Sequence, residues 1–187
     1  FDEVVLHDVD QTRLDRIALV LEGQAAADEE PVPFRTTTDL YEALEGADFV
    51  FVAVRVGGLE GRTIDEGVPL GRGVLGQETT GPGGFAMALR SIPANLQYAE
   101  MLEEASPGAW LFSFTNPAGL VTQALRDAGF SHTIGICDGA NVGHQSVADW
   151  LKVDANKLRA EVFGLNHLSW TRRVLLDGQD LLAPLLR

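Results

Sequence analysis

Cysteine and basic residues are scarce in this chain of 187 residues. A single cysteine, Cys137, excludes an internal disulfide bond and is typical of proteins from a reducing compartment. Fourteen lysines and arginines stand against 27 aspartates and glutamates, which gives a formal net charge of −13. That charge argues against nucleic acid or an anionic membrane surface as a partner. No apolar run reaches the roughly 18 residues that a membrane-spanning helix needs.

Short apolar segments alternate with helical patterns along most of the chain. They predict strands at residues 4–7, 34–37, 49–54, 110–114, 134–137 and 162–165, with helices between most of them. This order predicts a parallel sheet with right-handed crossovers. We therefore expect an α/β fold with a doubly wound parallel sheet, Rossmann-like and similar to that of lactate and malate dehydrogenases. The chain begins directly with a strand, so we expect the first strand and its glycine-rich turn to be missing.

Residues 55–93 are rich in glycine and carry many polar side chains. We interpret the part of this segment before Phe85 as a long loop at a strand end, in which glycines let the backbone approach a ligand. A solvated crossover loop is the alternative. Helices are expected only from Phe85 and again from Ile92, with Pro93 in a first helical turn.

Polar residues follow four of the predicted strands, and such strand ends meet at one edge of a parallel sheet. They are Arg55, Asn116, the pair Cys137 and Asp138, and the pair Asn166 and His167. A thiolate and an imidazole can bind a divalent ion and leave positions open for substrate oxygens. The alternative is that Cys137 is a small buried side chain and His167 a core histidine.

Two aspartates follow the first predicted strand. If that strand is the second one of a doubly wound fold, an acidic residue here binds the adenosine ribose hydroxyls of a dinucleotide. Asp8 fits either that role or a turn, whereas Asp10 is better explained as a helix N-cap. Both are kept as candidate cofactor-binding residues.

Five motifs occur in a fixed order along the chain. They are RVGG at 55–58, GQETTGPGG at 76–84, FTNPAG at 114–119, GICD at 135–138 and GLNH at 164–167. Together they resemble the NAD- and metal-dependent family 4 glycoside hydrolases over nearly the whole chain. The TTGPGG form resembles the 6-phospho-β-glucosidase branch. The resemblance implies that Cys137 and His167 bind a metal ion, usually manganese.

The resemblance also implies a reaction. Such enzymes cleave 6-phospho-β-glucosides by NAD-dependent oxidation, elimination and addition rather than through two carboxylates. Arg55 is then expected to bind the 6-phosphate and is also a candidate cofactor-binding residue. Glu78, Asn116 and Asn166 are expected to bind sugar hydroxyls, and Asp138 is the candidate general acid. Arg90 is either a further phosphate-binding residue or a surface cation.

The remaining expectations concern organisation and partners. We expect an NAD-binding domain at 1–160 and the start of a C-terminal substrate and metal domain at 161–187. The catalytic tyrosine of the family has no match here, so this chain alone is not expected to turn over. We expect a cytoplasmic homo-oligomer with a sugar phosphate substrate. Alternatives are a 6-phospho-α-glucosidase or α-galactosidase of the same family, an NAD-dependent hydroxy-acid dehydrogenase, and a non-catalytic binding module.

Overall fold

A computed structural model describes residues 2–27 and 29–186. The chain forms two compact units. The first comprises the residues up to Val50 together with Gln97–Leu111, and the second comprises Phe51–Leu96 and the residues from Phe112 onward. The domain boundary expected between residues 160 and 161 is not tested by this division and stays a prediction.

The first unit contains a pair of parallel strands. β1 (Val4–His7) pairs with β2 (Phe34–Thr37), and Val4 lies opposite Phe34. Between them runs α1 (Gln11–Ala25), whose N-cap Asp10 accepts hydrogen bonds from two backbone amides. A second short helix, α2 (Leu40–Leu44), follows β2. The capping role predicted for Asp10 is confirmed, because its side chain satisfies amides that the first turn leaves without a partner.

Three further strands form a sheet in the order β3–β4–β5. They are β3 (Phe49–Val52), β4 (Trp110–Ser113) and β5 (Thr133–Gly135). The amide of Trp110 donates to the carbonyl of Asp48, and the amide of Phe114 donates to the carbonyl of Val52. The partners advance in the same direction along both chains, so β3 and β4 are parallel. The predicted parallel α/β class is confirmed. β5 ends earlier than predicted, so Cys137 lies beyond the strand.

The expectation of a continuous loop from residue 55 to the helix predicted at Phe85 is wrong. The segment contains α3 (Gly58–Leu70) and the start of α4 (Gly81–Ala105), separated by residues 71–80. Pro93 therefore lies inside α4 and not in a first turn. A glycine inside a helix costs about 1 kcal/mol relative to alanine, and α3 is held instead by tertiary contacts, including the ion pair between its buried Asp65 and Arg90 of α4.

The glycines of this segment permit close packing of its own backbone. A Cβ atom on Gly76 would lie 2.1 Å from the carbonyl oxygen of Glu66, and one on Gly83 would lie 2.4 Å from that of Gln77. Real Cβ atoms do not approach so closely, so a side chain at either position would displace the backbone. These two glycines thus let one part of the chain pack closely against another, whereas we had expected them to let the backbone approach a ligand.

The last part of the chain is built around an antiparallel hairpin. β6 (Leu158–Leu165) pairs with β7 (Leu168–Leu176), and Leu165 lies opposite Leu168. Asn166 and His167 form the two-residue turn between them. The remaining elements are α5 (Ala118–Asp127), α6 (Gly139–Leu151), β8 (Gln179–Asp180) and α7 (Leu182–Leu185).

A small core cluster contains Ala148 of α6, Leu158 of β6 and Val174 of β7. Each of the three is almost completely buried, and further apolar side chains of α6 and α7 pack against them. This packing fixes α6, the helix that directly follows Cys137 and Asp138, to the hairpin that carries His167. Among residues 2–27 and 29–186, no helix has both the length and the apolar character needed to cross a membrane.

Candidate functional site

Cys137 and His167 lie next to each other although they are far apart in sequence. The Sγ atom of Cys137 is 3.2 Å from Nε2 of His167. Thiolate and imidazole ligands bind a zinc ion at about 2.3 and 2.0 Å, so two such ligands would be about 3.1 Å apart at a right angle and about 3.5 Å apart at a tetrahedral angle. The pair therefore has the spacing of two ligands of one ion. In the described part of the chain, no third His, Cys, Asp or Glu completes a metal-binding group with them.

His167 adopts a backbone conformation that few residues favour. Its φ is 56°, in the second position of the two-residue turn between β6 and β7. Glycine is the usual residue at such a position, and asparagine, aspartate and histidine are the commonest others. From this turn the imidazole of His167 reaches Cys137.

Asp138 directly follows Cys137 in sequence. It is exposed and directly precedes α6, and its carboxylate makes no capping hydrogen bond to the described residues of that helix. Asn166 precedes His167 in the hairpin turn. It lines an open pocket of about 280 Å³ together with Cys137, Thr122, Gln123 and Arg126. The structure thus brings the predicted residues Asn166, Cys137 and His167 together.

A second group of polar side chains surrounds Glu78, whose side chain is only 13% exposed. Arg55 donates through Nη1 to Oε1 of Glu78, and Asn116 Nδ2 lies 3.5 Å from the same oxygen. Arg62 Nη1 is 3.2 Å from Oε2. We call Arg55, Arg62, Glu66, Glu78 and Asn116 the Glu78 cluster. Three of its members were predicted as substrate-binding residues, and the structure brings these three together.

Arg62 was not identified as a site residue from the sequence. It belongs to α3, where Glu66 lies one turn later and accepts a hydrogen bond from Arg62 Nε at 2.7 Å. This hydrogen bond, together with the charge of Glu78, raises the pKa of Arg62 above its ordinary value. The spacing of four residues between the two charges is a helical signal, but it is informative only if the segment is read as a helix.

The charges of the Glu78 cluster balance one another. Two guanidinium groups face the carboxylates of Glu66 and Glu78, so Arg55 is not an unpaired cation. Its side chain nevertheless remains 33% exposed. A phosphate group would therefore have to bind the remaining donors of Arg55 or compete with Glu78 for it.

Arg90 is not an isolated surface cation, and its role as a phosphate-binding residue stays a prediction. Its guanidinium binds the buried carboxylate of Asp65, with Nη1 3.1 Å from Oδ1, and Nε donates to the carbonyl of Val56 at 3.2 Å. The hydrogen bond to Asp65 raises the pKa of Arg90 above its ordinary value. Arg90 of α4 thus holds α3 through Asp65 and holds the backbone at Val56, next to Arg55.

The candidate ribose-binding residues lie in the first unit. Asp8 follows β1 and binds Arg13, with Oδ1 2.7 Å from Nη2 and Oδ2 3.0 Å from Nε. It also accepts a hydrogen bond from the backbone amide of Asp10 at 2.9 Å. Burial alone would raise the pKa of Asp8, but the hydrogen bonds from Arg13 and the Asp10 amide bring it below its ordinary value. Asp10 is occupied as the N-cap of α1. Arg13, like Arg62, was missed as a partner of a predicted residue.

Comparison with known proteins bears on what these sites do. Residues 1–153 match the family described as Family 4 glycosyl hydrolase. The chain is 42% identical over 158 residues to the 6-phospho-beta-glucosidase of Escherichia coli K12, which covers 83% of this chain and 35% of that protein. The predicted family resemblance is therefore confirmed.

Solved structures give the same result. A 6-phospho-alpha-glucosidase from gut microorganisms, in complex with NAD and Mn²⁺, has a TM-score of 0.89 at 34% identity, over 98% of this chain and 43% of that one. The 6-phospho-beta glucosidase of Thermotoga maritima with manganese, NAD⁺ and glucose-6-phosphate has a TM-score of 0.84 at 31% identity, over 98% of this chain and 45% of that one.

Lactate and malate dehydrogenases share the fold at 17% identity, which shows the fold alone and confirms the predicted fold class. The chain spans less than half the length of the glucosidases above, with shares of 35%, 43% and 45%. The family match, by contrast, covers most of this chain. The chain belongs to family 4 of the glycosyl hydrolases.

Proposed function

We propose that this chain provides the NAD- and metal-binding part of an enzyme that hydrolyses 6-phospho-β-glucosides. The observation that carries the proposal is the 3.2 Å contact between Cys137 and His167 in a family 4 chain. The 42% identity to a 6-phospho-beta-glucosidase favours the β-anomer. The α-anomer is the second candidate, because the TM-score to a 6-phospho-alpha-glucosidase is 0.89. We further propose that residues 1–160 bind NAD and that residues 161–187 begin a substrate and metal domain.

The residues present fit both cofactors. Cys137 and His167 would hold a divalent ion, and their two donors leave coordination positions open to substrate oxygens. Asp8 would receive the adenosine ribose, because it stands at the carboxyl end of a parallel strand and one lone pair of its Oδ2 is not engaged within the described residues. When bound, Mn²⁺ supplies a Lewis acid and NAD a reversible hydride acceptor.

The substrate would be positioned by side chains of the second unit. Glu78 is held by its neighbours and would accept hydrogen bonds from sugar hydroxyls, while Asn116 and Asn166 would bind hydroxyls through their amides. Arg55 would use its remaining donors for the 6-phosphate and is proposed as a cofactor contact as well. Asp138 would serve as general acid at the leaving group, since its carboxylate is exposed beside Cys137.

The proposal extends to partners and location. A sugar phosphate is the proposed ligand, and the net charge of −13 disfavours nucleic acid and anionic membranes. We further propose a homo-oligomer in the cytoplasm, a location supported by the single cysteine and by a phosphorylated substrate.

The test measures cleavage of α- and β-linked nitrophenyl 6-phosphoglucosides by the protein that carries this chain. Activity on the β-substrate should disappear after removal of metal by chelation or of NAD by charcoal treatment, and return with Mn²⁺ and catalytic amounts of NAD. In deuterated water, elimination should place deuterium at C2 of the product. Full turnover without NAD and with C2 still protonated would refute the proposal and favour Glu78 and Asp138 as a carboxylate pair. Accumulation of NADH from a hydroxy acid would indicate the dehydrogenase instead.

A further inference from the structure

An ion pair in the first unit bears on the choice of cofactor. Asp8 directly follows β1, and Arg13 lies in the first turn of α1. The Nε and Nη2 atoms of Arg13 are 3.0 and 2.7 Å from the two carboxylate oxygens of Asp8. One edge of the guanidinium therefore binds the carboxylate in the bidentate manner typical of arginine.

The other edge of the Arg13 guanidinium faces no hydrogen-bond acceptor of the described residues. A guanidinium has five N–H donors, and Asp8 takes one from Nε and one from Nη2. Asp10 is also near, but its Oδ2 is 3.8 Å from Nε, on the edge that Asp8 already occupies. The side chain of Arg13 is 59% exposed. An anionic group can thus reach Nη1 and the second Nη2 hydrogen while Asp8 stays bound.

We propose that Arg13 provides a binding place for the 2′-phosphate of NADP beside Asp8, so that the chain accepts NADP as well as NAD. The inference rests on the proposed function, because it presupposes a dinucleotide at the end of β1. In doubly wound folds, a carboxylate at this strand end binds the ribose 2′-hydroxyl of NAD, and a nearby arginine accommodates the 2′-phosphate of NADP. Here both groups occur together and are bound to each other.

Electrostatics supports this double role. An unpaired carboxylate would repel the 2′-phosphate, whereas Arg13 neutralises Asp8 and adds charge-assisted donors. Asp8 still accepts a ribose hydroxyl, because its Oδ2 accepts a single hydrogen bond from the described residues. The hydrogen bonds from Arg13 and from the Asp10 amide lower the pKa of Asp8 despite its partial burial, so it remains ionised at neutral pH.

Calorimetric titration of the protein that carries this chain with NAD and with NADP tests the proposal. The wild type should bind NADP within about tenfold of NAD, since a bidentate arginine–phosphate contact offsets the carboxylate. Arg13→Met should weaken NADP about tenfold or more, the value of one charge-assisted contact, and leave NAD nearly unchanged. Arg13→Lys keeps the charge without the fork and should retain part of the NADP affinity.

Arg16→Met is the matched control. It removes the same charge from the same helix, and Arg16 contacts neither Asp8 nor Asp10 within residues 2–27 and 29–186. It should leave the NADP-to-NAD ratio unchanged. Asp8→Asn should weaken NAD and shift the ratio towards NADP. Retained NAD binding by Arg13→Met shows that the variant is folded.

Three results would overturn the inference. The first is NADP binding more than about tenfold weaker than NAD in the wild type, or about 1.4 kcal/mol. The second is an unchanged ratio in Arg13→Met, and the third is an equal change in Arg16→Met. Failure of the wild type to bind either nucleotide would instead refute the proposed function, and this inference with it.

Discussion

The two polar groups of the second unit differ in how their members are satisfied. Among the described residues, the side chains of Cys137 and His167 make a polar contact only with each other, at 3.2 Å. The Glu78 cluster is closed, because each charged group in it already binds a group of opposite charge. Cys137 and His167 can therefore bind a ligand without losing another polar contact. A ligand that binds the charged groups of the Glu78 cluster must compete with contacts that already exist.

This difference indicates how each group would act. The Cys137 sulfur and the His167 imidazole are close enough to bind one metal ion, and the pair has little electrostatic role without that ion. A carboxylate held by two arginines is fixed in place before any ligand arrives, which reduces the entropy lost on binding. We therefore expect changes in the first group to remove a cofactor, and changes in the second to alter substrate affinity more gradually.

Replacing either of the proposed metal ligands, Cys137 and His167, should have the largest effect. Cys137→Ser or His167→Ala should weaken Mn²⁺ binding by more than about 100-fold, because loss of outer-shell partners alone costs about 10–100-fold. Titration of Mn²⁺ followed by electron paramagnetic resonance measures this. His144→Gln is the control, since His144 binds the carbonyl of Ala155 at 2.9 Å and an amide can keep that contact. Equal Mn²⁺ affinity in all three variants would exclude the pair as the metal site.

Gly83→Ala tests whether the Glu78 cluster depends on backbone packing. The new Cβ would lie 2.4 Å from the carbonyl oxygen of Gln77, next to Glu78. We expect a loss of about 3 kcal/mol in the free energy of unfolding, the upper range for overpacking. Urea denaturation measures it. The proposed metal ligands Cys137 and His167 lie on other elements, so the Mn²⁺ affinity of the folded variant should not change.

Gly67→Ala is the matched control for that substitution. Gly67 lies inside α3, and nothing among the described residues comes within 4 Å of a Cβ placed there. Alanine should stabilise the protein by about 0.5–1 kcal/mol because of its higher helix propensity. If both substitutions changed stability in the same direction, the packing role of Gly83 would be wrong.

Much of the fold could be predicted because its signals are local. The strands β1 and β2 are short apolar or β-branched runs, and Asp10 and Asp39 each precede a helix whose amides they cap. These patterns depend on a few neighbouring residues. Helix α3 was missed because Gly61, Gly67 and Pro69 are breakers by propensity. What holds it is tertiary, including the Arg90–Asp65 contact, which no local pattern indicates.

The candidate sites divide in the same way. Cys137 and His167 could be placed together because each follows a predicted strand and each belongs to a recognised motif. The partners Arg62 and Arg13 could not, since their contacts depend on which face of a helix turns towards the carboxylate. Once α3 is taken as a loop, the four-residue spacing from Arg62 to Glu66 carries no information.

Arg55→Met tests whether the Glu78 cluster binds the phosphate of the substrate. It should raise the KM for a phosphorylated glucoside about tenfold, or about 1.4 kcal/mol, and leave binding of the unphosphorylated glucoside unchanged. The effect is moderate because the Arg55 side chain is 33% exposed, and solvent screens its charge. Arg72→Met, an exposed arginine in the 71–80 segment, is the control. Equal losses on both substrates would mean that Arg55 serves Glu78 and not the phosphate.

The smallest expected effect concerns the backbone at His167. His167 has φ 56°, and asparagine tolerates this region better than histidine. His167→Asn should therefore stabilise the metal-free protein by about 0.5 kcal/mol, a fraction of the about 1–3 kcal/mol that such strain costs, while it abolishes Mn²⁺ binding. Lys152→Asn is the matched substitution, because Lys152 has φ 55° at the end of α6 and is not a metal ligand.

Thermal unfolding in chelator compares the two variants. Lys152→Asn should raise the free energy of unfolding by a similar amount and leave Mn²⁺ binding intact. If Lys152→Asn stabilised the protein and His167→Asn destabilised it without metal, the imidazole would contribute to folding through its contact with Cys137. The turn would then be held by that contact, and His167 would not be a strained residue retained for its ligand atom.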